Sequence, residues 1–151
     1  MSFWQGRPVT ECAMVLDSLL RGLSALGGAT STARSTKASL AARRNHLIKR
    51  KFAVPVSQKE VERDWAAQGF HCGCMIDPPG HEWNNFTHTA NELVTVVEGR
   101  MRFTFFDTDH FILEPGDEIF IPAGVPHSTK NIAAVKSKWF YGYDGAANSW
   151  F

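Results

Sequence analysis

From Phe70 onward the chain alternates short apolar, β-branched and aromatic segments with turn residues, and no other feature constrains its fold as strongly. Segments with strand character fall at 70–76, 83–87, 93–98, 101–106, 110–113, 118–121, 126–131 and 135–143. Asp77-Pro-Pro-Gly80, Gly99-Arg100, Asp107-Thr-Asp109, Pro115-Gly116 and Pro122-Ala-Gly124 separate several of them. Gly, Pro and Asp supply the backbone geometries that tight turns need. Strands this short and this closely spaced pack as a β-sandwich or close into a barrel. Eleven Phe and five Trp suit packed sheets better than a helical bundle. With 44% of 151 residues hydrophobic, the chain has enough apolar side chain for one domain with a core.

A single helix precedes the strands. Ser57-Gln-Lys-Glu60 has the form of a capping box, in which hydroxyl and carboxylate each satisfy an unpaired backbone N–H. The helix is expected to run to about Ala67, with Val61 and Trp65 one turn apart and Gly69 ending it.

The formal net charge of +1 hides a division along the chain. Residues 1–52 hold nine Lys/Arg and two Asp/Glu, whereas residues 53–151 hold seven and thirteen. The division predicts a basic, disordered extension over 1–52 and a folded domain over 53–151. Within the extension, Leu16, Leu19, Leu20, Leu23 and Leu26 recur at helical spacing until Gly27-Gly28. Arg- and Ser-rich, acid-poor sequence then follows. Three readings fit this segment: an organelle transit peptide, an extension without a cellular role such as an over-long translation start, or a nucleic-acid or membrane-surface patch. The expected compartment is the cytoplasm, or a mitochondrion or plastid if 1–52 is a transit peptide. Cys12, Cys72 and Cys74 are odd in number and unevenly spaced, so no disulfide framework and a reducing compartment are expected. No apolar run reaches the roughly 18 residues that span a bilayer. Neither a nucleic-acid nor a membrane partner is expected of the folded domain.

Two spacing patterns carry the chemistry. In the first, Gly80 leads to His88, three residues, Glu92, six residues and Gly99. In the second, Gly116 is followed by five residues, Pro122-Ala-Gly124, two residues, His127, three residues and Asn131. Together they resemble the cupin family, specifically its small single-domain members with an RmlC-like jelly roll. The resemblance extends over about residues 53–146, and departs from the family pattern where Phe86 stands in place of the first histidine. It implies an all-β, double-stranded β-helix or jelly-roll barrel behind a short N-terminal helix. It also implies a divalent transition metal (Fe, Mn, Ni or Zn) held by His88, Glu92 and His127, and pairing of two copies as a homodimer.

Backbone geometry sets a condition on that triad. Phe86 and His88 share a strand face, but a fully extended chain would carry Glu92 about 13 Å further on. The chain must therefore bend at Thr89-Ala-Asn91, and His127 must arrive from another strand behind Pro126, whose ring fixes the backbone. Two imidazoles and one carboxylate leave coordination positions open on a divalent metal. Their net charge with the metal, about +1, favours an anionic or oxygen-donor ligand. Phe86, Trp83, Phe103 and Phe105 are expected to line the cavity beside them, while Trp139 and Tyr141 are core candidates. His81 and His110 are expected in solvated loops, and His71-Cys-Gly-Cys74 lacks the second ligand pair of a structural zinc site. The resemblance implies a metal-dependent site for a small polar or anionic molecule and, if the protein is an enzyme, an oxygenase, isomerase or lyase. No catalytic acid or base stands out beside the ligands. The alternatives are a non-catalytic small-molecule-binding or sensor module, and an interaction protein that needs only the fold.

Overall fold

The computed structural model describes the backbone of Ala13–Met14 and residues 47–145. The leucine repeat at 16–26 lies outside the described residues. The strands are β1 (Ala13–Met14), β2 (Leu47–Ile48), β3 (Gly73–Asp77), β4 (Glu82–Phe86), β5 (Glu92–Glu98), β6 (Met101–Phe105), β7 (Asp109–Leu113), β8 (Glu118–Ile121), β9 (His127–Asn131) and β10 (Ser137–Tyr143), with helix α1 (Gln58–Ala67) before β3. They form two sheets, ordered β1-β3-β10-β5-β8-β2 and β4-β9-β6-β7. All pairings are antiparallel apart from β1 with β3. This is the jelly-roll barrel that the family resemblance implies, with one short helix among the described residues.

Burial explains why the strands read differently in sequence. In β6, Met101, Phe103 and Phe105 are buried while Arg102 and Thr104 are only half-buried, because one face of that sheet meets solvent. In β5 every residue from Glu92 to Val96 is buried, because α1 covers the outer face. Inside the barrel, residues including Val94, Val96, Met101, Phe103 and Trp139 form one cluster. Val61 and Trp65 of α1 pack with Leu93, Phe140, Cys74 and Phe52 in a second. Fully burying each of the larger side chains contributes about 1.5–3 kcal/mol. Ser57 stands at the N-cap of α1 as expected, but its hydroxyl makes no capping hydrogen bond. Gly99, at φ 84°, joins β5 to β6 where a Cβ would collide with Ser137, so glycine is required there.

The packed chain also includes residues 47–52, grouped above with the basic segment. Leu47–Ile48 pairs with β8, and Phe52 is buried. Lys49 forms an ion pair with the buried Asp117. Lys51 Nζ lies 2.8 Å and 2.9 Å from the two oxygens of buried Glu118 and 2.6 Å from Asp64 Oδ2. Trp65 Nε1 donates to Glu118 Oε2 at 2.7 Å, so one carboxylate joins the entering chain to α1. Burial works to lower the Lys51 pKa, but its two carboxylate partners outweigh it and raise it above the ordinary value. Cys72 is a free, half-buried thiol pushed up to about 12, mainly by burial and further by Glu62. Cys74, in contrast, is disulfide-bonded, whereas the cysteine count and spacing led to the expectation of no disulfide framework and a reducing compartment.

Candidate metal centre

His88 lies between β4 and β5, Glu92 is the first residue of β5, and His127 is the first residue of β9. A bend at Thr89-Ala90 carries the chain from His88 to Glu92, as the extended-chain distance requires. Asn91 fixes that bend. Its backbone N–H donates to Asp144 Oδ1 at 2.9 Å and its side-chain amide to Asp144 Oδ2 at 2.6 Å, while its Oδ1 accepts from Ala123 N–H at 2.9 Å. Gly124 N–H donates to His88 O at 2.8 Å, which ties the bend to the turn that delivers His127. Both histidines and Glu92 are buried.

Their ligand atoms converge to within 4.8 Å of one another, and among the described residues they form the group of three or more His, Cys, Asp or Glu with that property. Glu92 Oε2 lies 3.3 Å from His88 Nε2 and 3.4 Å from His127 Nε2, yet has no hydrogen-bond partner among the described residues. His127 Nδ1 sits 3.0 Å from Val125 O. A carbonyl only accepts, so Nδ1 carries the proton and a neutral His127 turns the lone pair of Nε2 toward the carboxylate. Two acceptors then face each other across 3.4 Å in a buried space, an arrangement that a shared cation relieves. Metal bonds of about 2.0–2.2 Å from three such donors place the donor atoms about 3–3.5 Å apart. The donor set fits. Burial pushes the Glu92 carboxyl up, but where the imidazoles are instead protonated and donate to it, they together outweigh burial and hold it below the ordinary range.

The cavity above these groups has a volume of about 30 Å³ and opens to solvent. Trp83, Phe86 and Phe103 line it, and Trp139, Thr129 and Tyr143 complete the wall. Phe105 is absent from the wall: it is 1% exposed, packs edge-on against Phe111 at 5.5 Å, and pairs with His127 from β6 with ring centroids 6.1 Å apart. Phe86 pairs with His127 across the strands and stacks on His88 with centroids 6.2 Å apart. An apolar ring therefore stands beside both imidazoles where a further donor would fit. Tyr143 Oη lies 3.3 Å from His88 Nε2, and burial with Glu92 nearby raises its phenol far above the ordinary range. Asp77, read above only as a turn residue, is fully buried and accepts from Trp83 Nε1 at 3.2 Å and Trp139 Nε1 at 3.0 Å.

Other sequence candidates lie apart from the centre. His110 is exposed, with Nδ1 3.0 Å from Thr104 Oγ1. His81 is half-buried edge-on to Trp83 rather than in an open loop. His71 Nε2 accepts from Tyr143 N–H at 3.3 Å. Tyr141 is half-buried between Trp139 and His71 and is absent from the cavity wall. Asn131 is buried and structural, since all its polar atoms are used in binding backbone and Ser137.

Residues 73–142 match a family model described as the cupin domain. Residues 73–142 are identified as a cupin domain. No curated protein matches the sequence. Solved structures similar to it include a DMSP lyase, DddQ, from Ruegeria pomeroyi DSS-3, at 22% identity, 54% of this chain, 41% of that chain and a TM-score of 0.48. A cupin 2 conserved barrel domain protein from Salinispora arenicola CNS-205 shows 18% identity over 52% of this chain and 65% of that one, with a TM-score of 0.47. An RmlC-like cupin family protein from Methanocaldococcus jannaschii shows 16% identity over 50% and 69%, with a TM-score of 0.46. The chain thus spans less than two thirds of the first two. The cupin assignment rests on the family match and the strand pairing. No helix among the described residues is long and apolar enough to cross a membrane.

Proposed function

We propose that His88, Glu92 and His127 hold one divalent transition metal (Fe, Mn, Ni or Zn), and that the cavity beside it takes a small polar or anionic molecule. The observation that carries this is Glu92 Oε2, buried between two imidazole nitrogens at 3.3 and 3.4 Å with no hydrogen-bond partner among the described residues. A bound metal would supply Lewis acidity or oxygen activation at its open positions, the chemistry of an oxygenase, isomerase or lyase. The protein's own residues orient the site. Val125 O fixes the His127 ring, Asn91 fixes the bend that presents Glu92, and the aromatic walls exclude water from the ligand.

Elemental analysis of the purified protein tests the centre. About one equivalent of metal is expected in wild type and close to none in the His88→Ala/His127→Ala double variant. Wild type purified metal-free under metal-replete conditions would leave an imidazolium–carboxylate cluster as the correct account.

A non-catalytic binding or sensor role is the second reading. It is favoured by the cavity wall, where among the described residues the triad and Tyr143 are the only ionisable groups, so no separate general base is present. Aerobic incubation with iron(II), manganese or nickel and a pool of small carboxylates, phenols and sugars separates the two readings, because only an enzyme consumes oxygen or yields product. Pairing of two copies through a sheet edge belongs to the same proposal, and light scattering on the eluted protein reads it.

A further inference from the structure

Tyr143, the last residue of β10, pairs across the strands with Glu92. That register sets its side chain in the wall of the metal-centre cavity, 2% exposed, with its ring centroid 4.8 Å from that of His88. The Tyr143 backbone N–H donates to His71 Nε2 at 3.3 Å, and the two rings pack edge-on at 5.4 Å, so the phenol is held in place. Its Oη lies 3.3 Å from His88 Nε2. A metal held through that nitrogen takes the lone pair that the hydroxyl faces. Buried hydroxyls are normally partnered, so the metal-loaded protein is left with a phenol proton to donate within the cavity.

A second hydroxyl lines the same wall. Thr129 is 6% exposed, lies two residues from His127 on the same face of β9, and its Oγ1 has no hydrogen-bond partner among the described residues. Trp83 and Trp139 give their indole N–H groups to Asp77. Outside the triad, the side-chain donors left in the wall among the described residues are therefore the hydroxyls of Tyr143 and Thr129. Size and charge restrict what they can meet. At about 30 Å³ the cavity holds about two water-sized groups, so a ring does not fit inside it. No Lys or Arg lines it among the described residues, so a second negative charge would be buried unpaired.

We propose that the ligand is a monoanionic carboxylate the size of formate or acetate, and that Tyr143 and Thr129 select it. One carboxylate oxygen is held at the His88–Glu92–His127 centre and accepts from the Tyr143 hydroxyl, and the other accepts from Thr129. This rests on the metal reading above. The two hydroxyls are then specificity-determining groups that read the acid and take no part in holding the metal.

The test uses protein loaded with cobalt(II), whose visible absorption reports its coordination, after elemental analysis has fixed the stoichiometry. Formate, acetate, benzoate and succinate are titrated against that absorption. Formate or acetate is expected to bind at least about tenfold tighter than benzoate or succinate. Tyr143→Phe is expected to weaken formate binding about tenfold and Thr129→Val about fivefold, with cobalt content unchanged in both, and Thr129→Ser to keep wild-type affinity. One equivalent of cobalt with benzoate or succinate binding as tightly as formate overturns the ligand class and leaves the metal centre standing. Wild-type formate affinity in Tyr143→Phe, or loss of cobalt from that variant, overturns the role of Tyr143. Wild-type affinity in Thr129→Val overturns the role of Thr129. If either variant does not fold, the ligand series on wild type still decides the class. Absence of bound cobalt in wild type removes the centre itself, and the ligand class with it.

Discussion

Replacing Asn131 tests whether a position in the family's second spacing pattern serves coordination or architecture. Its amide nitrogen lies 3.0 Å from Asp77 O, 3.0 Å from Pro78 O and 2.9 Å from Val135 O. Its oxygen accepts from Ala133 N–H at 2.9 Å and from Ser137 Oγ at 2.7 Å. The amide has two hydrogens for three carbonyls, so one hydrogen is shared, and four bonds is a fair count. At about 1 kcal/mol net for each, Asn131→Ala should cost about 4 kcal/mol. That is a large part of the roughly 5–15 kcal/mol that stabilises a domain, and corresponds to a fall in Tm of about 15–30 °C. Asn131→Asp separates hydrogen bonding from packing. It preserves shape but turns an acceptor toward three carbonyls, so it should be at least as damaging as alanine. Urea unfolding and thermal melts read both variants. An Asp variant within about 1 kcal/mol of wild type would refute the hydrogen-bond account.

Two further predictions follow from the segment that enters the fold at Leu47. Lys51→Met leaves buried Glu118 with Trp65 Nε1 as its remaining hydrogen-bond donor and should cost about 2–4 kcal/mol in urea unfolding, with much of it restored when Glu118→Gln is added. Asp117 gives the pH dependence. Burial raises its carboxyl, but Lys49 and the N–H groups of Glu114 and Arg50 together hold it below the ordinary value. A depressed carboxyl stabilises the fold above its unfolded pKa, and that contribution disappears as pH falls through the folded value. Asp117→Asn should therefore lower stability at neutral pH and flatten its loss between about pH 5 and pH 2, measured by melts across that range.

The strands were legible because each side chain's solvent exposure is written into its own segment. The alternation Met101-Arg-Phe-Thr-Phe105 marks a sheet with one wet face, and the run Leu93-Val-Thr-Val-Val97 marks one covered on both. The triad was legible because His88 and Glu92 are close in sequence and the bend between them is a steric necessity. What could not be read were couplings between distant segments. Asn91 and Asp144 are 53 residues apart, and Asp77 and Trp139 are 62. In each pair neither residue alone signals a partner. Thr129 carried a weak signal, two residues beyond His127 on the inward face, but a period of two gives only the face and not the depth. The same limit applies to Phe105, which faces inward like Phe103 but pairs with His127 and does not line the cavity.

Phe86 is where the chain departs from the family pattern, and its position makes that departure testable. The bulge between Trp83 and Phe86, with Asn85 at φ 55° and its N–H on Ser128 Oγ at 3.0 Å, turns Phe86 inward next to His127. Its ring stacks on His88 and lines the cavity, so the backbone already aims this position at the centre, and only the side chain fails to donate. Phe86→His should then add a fourth donor without moving the other three. Competition with a zinc chelator is expected to show affinity at least about tenfold higher than wild type, with any carboxylate ligand bound more weakly because an open position is filled. Phe86→Leu should leave metal affinity near the wild-type value, since it exchanges one apolar wall for another. A folded histidine variant with unchanged zinc affinity would mean that residue 86 does not reach the metal, and that the open side of the centre lies elsewhere.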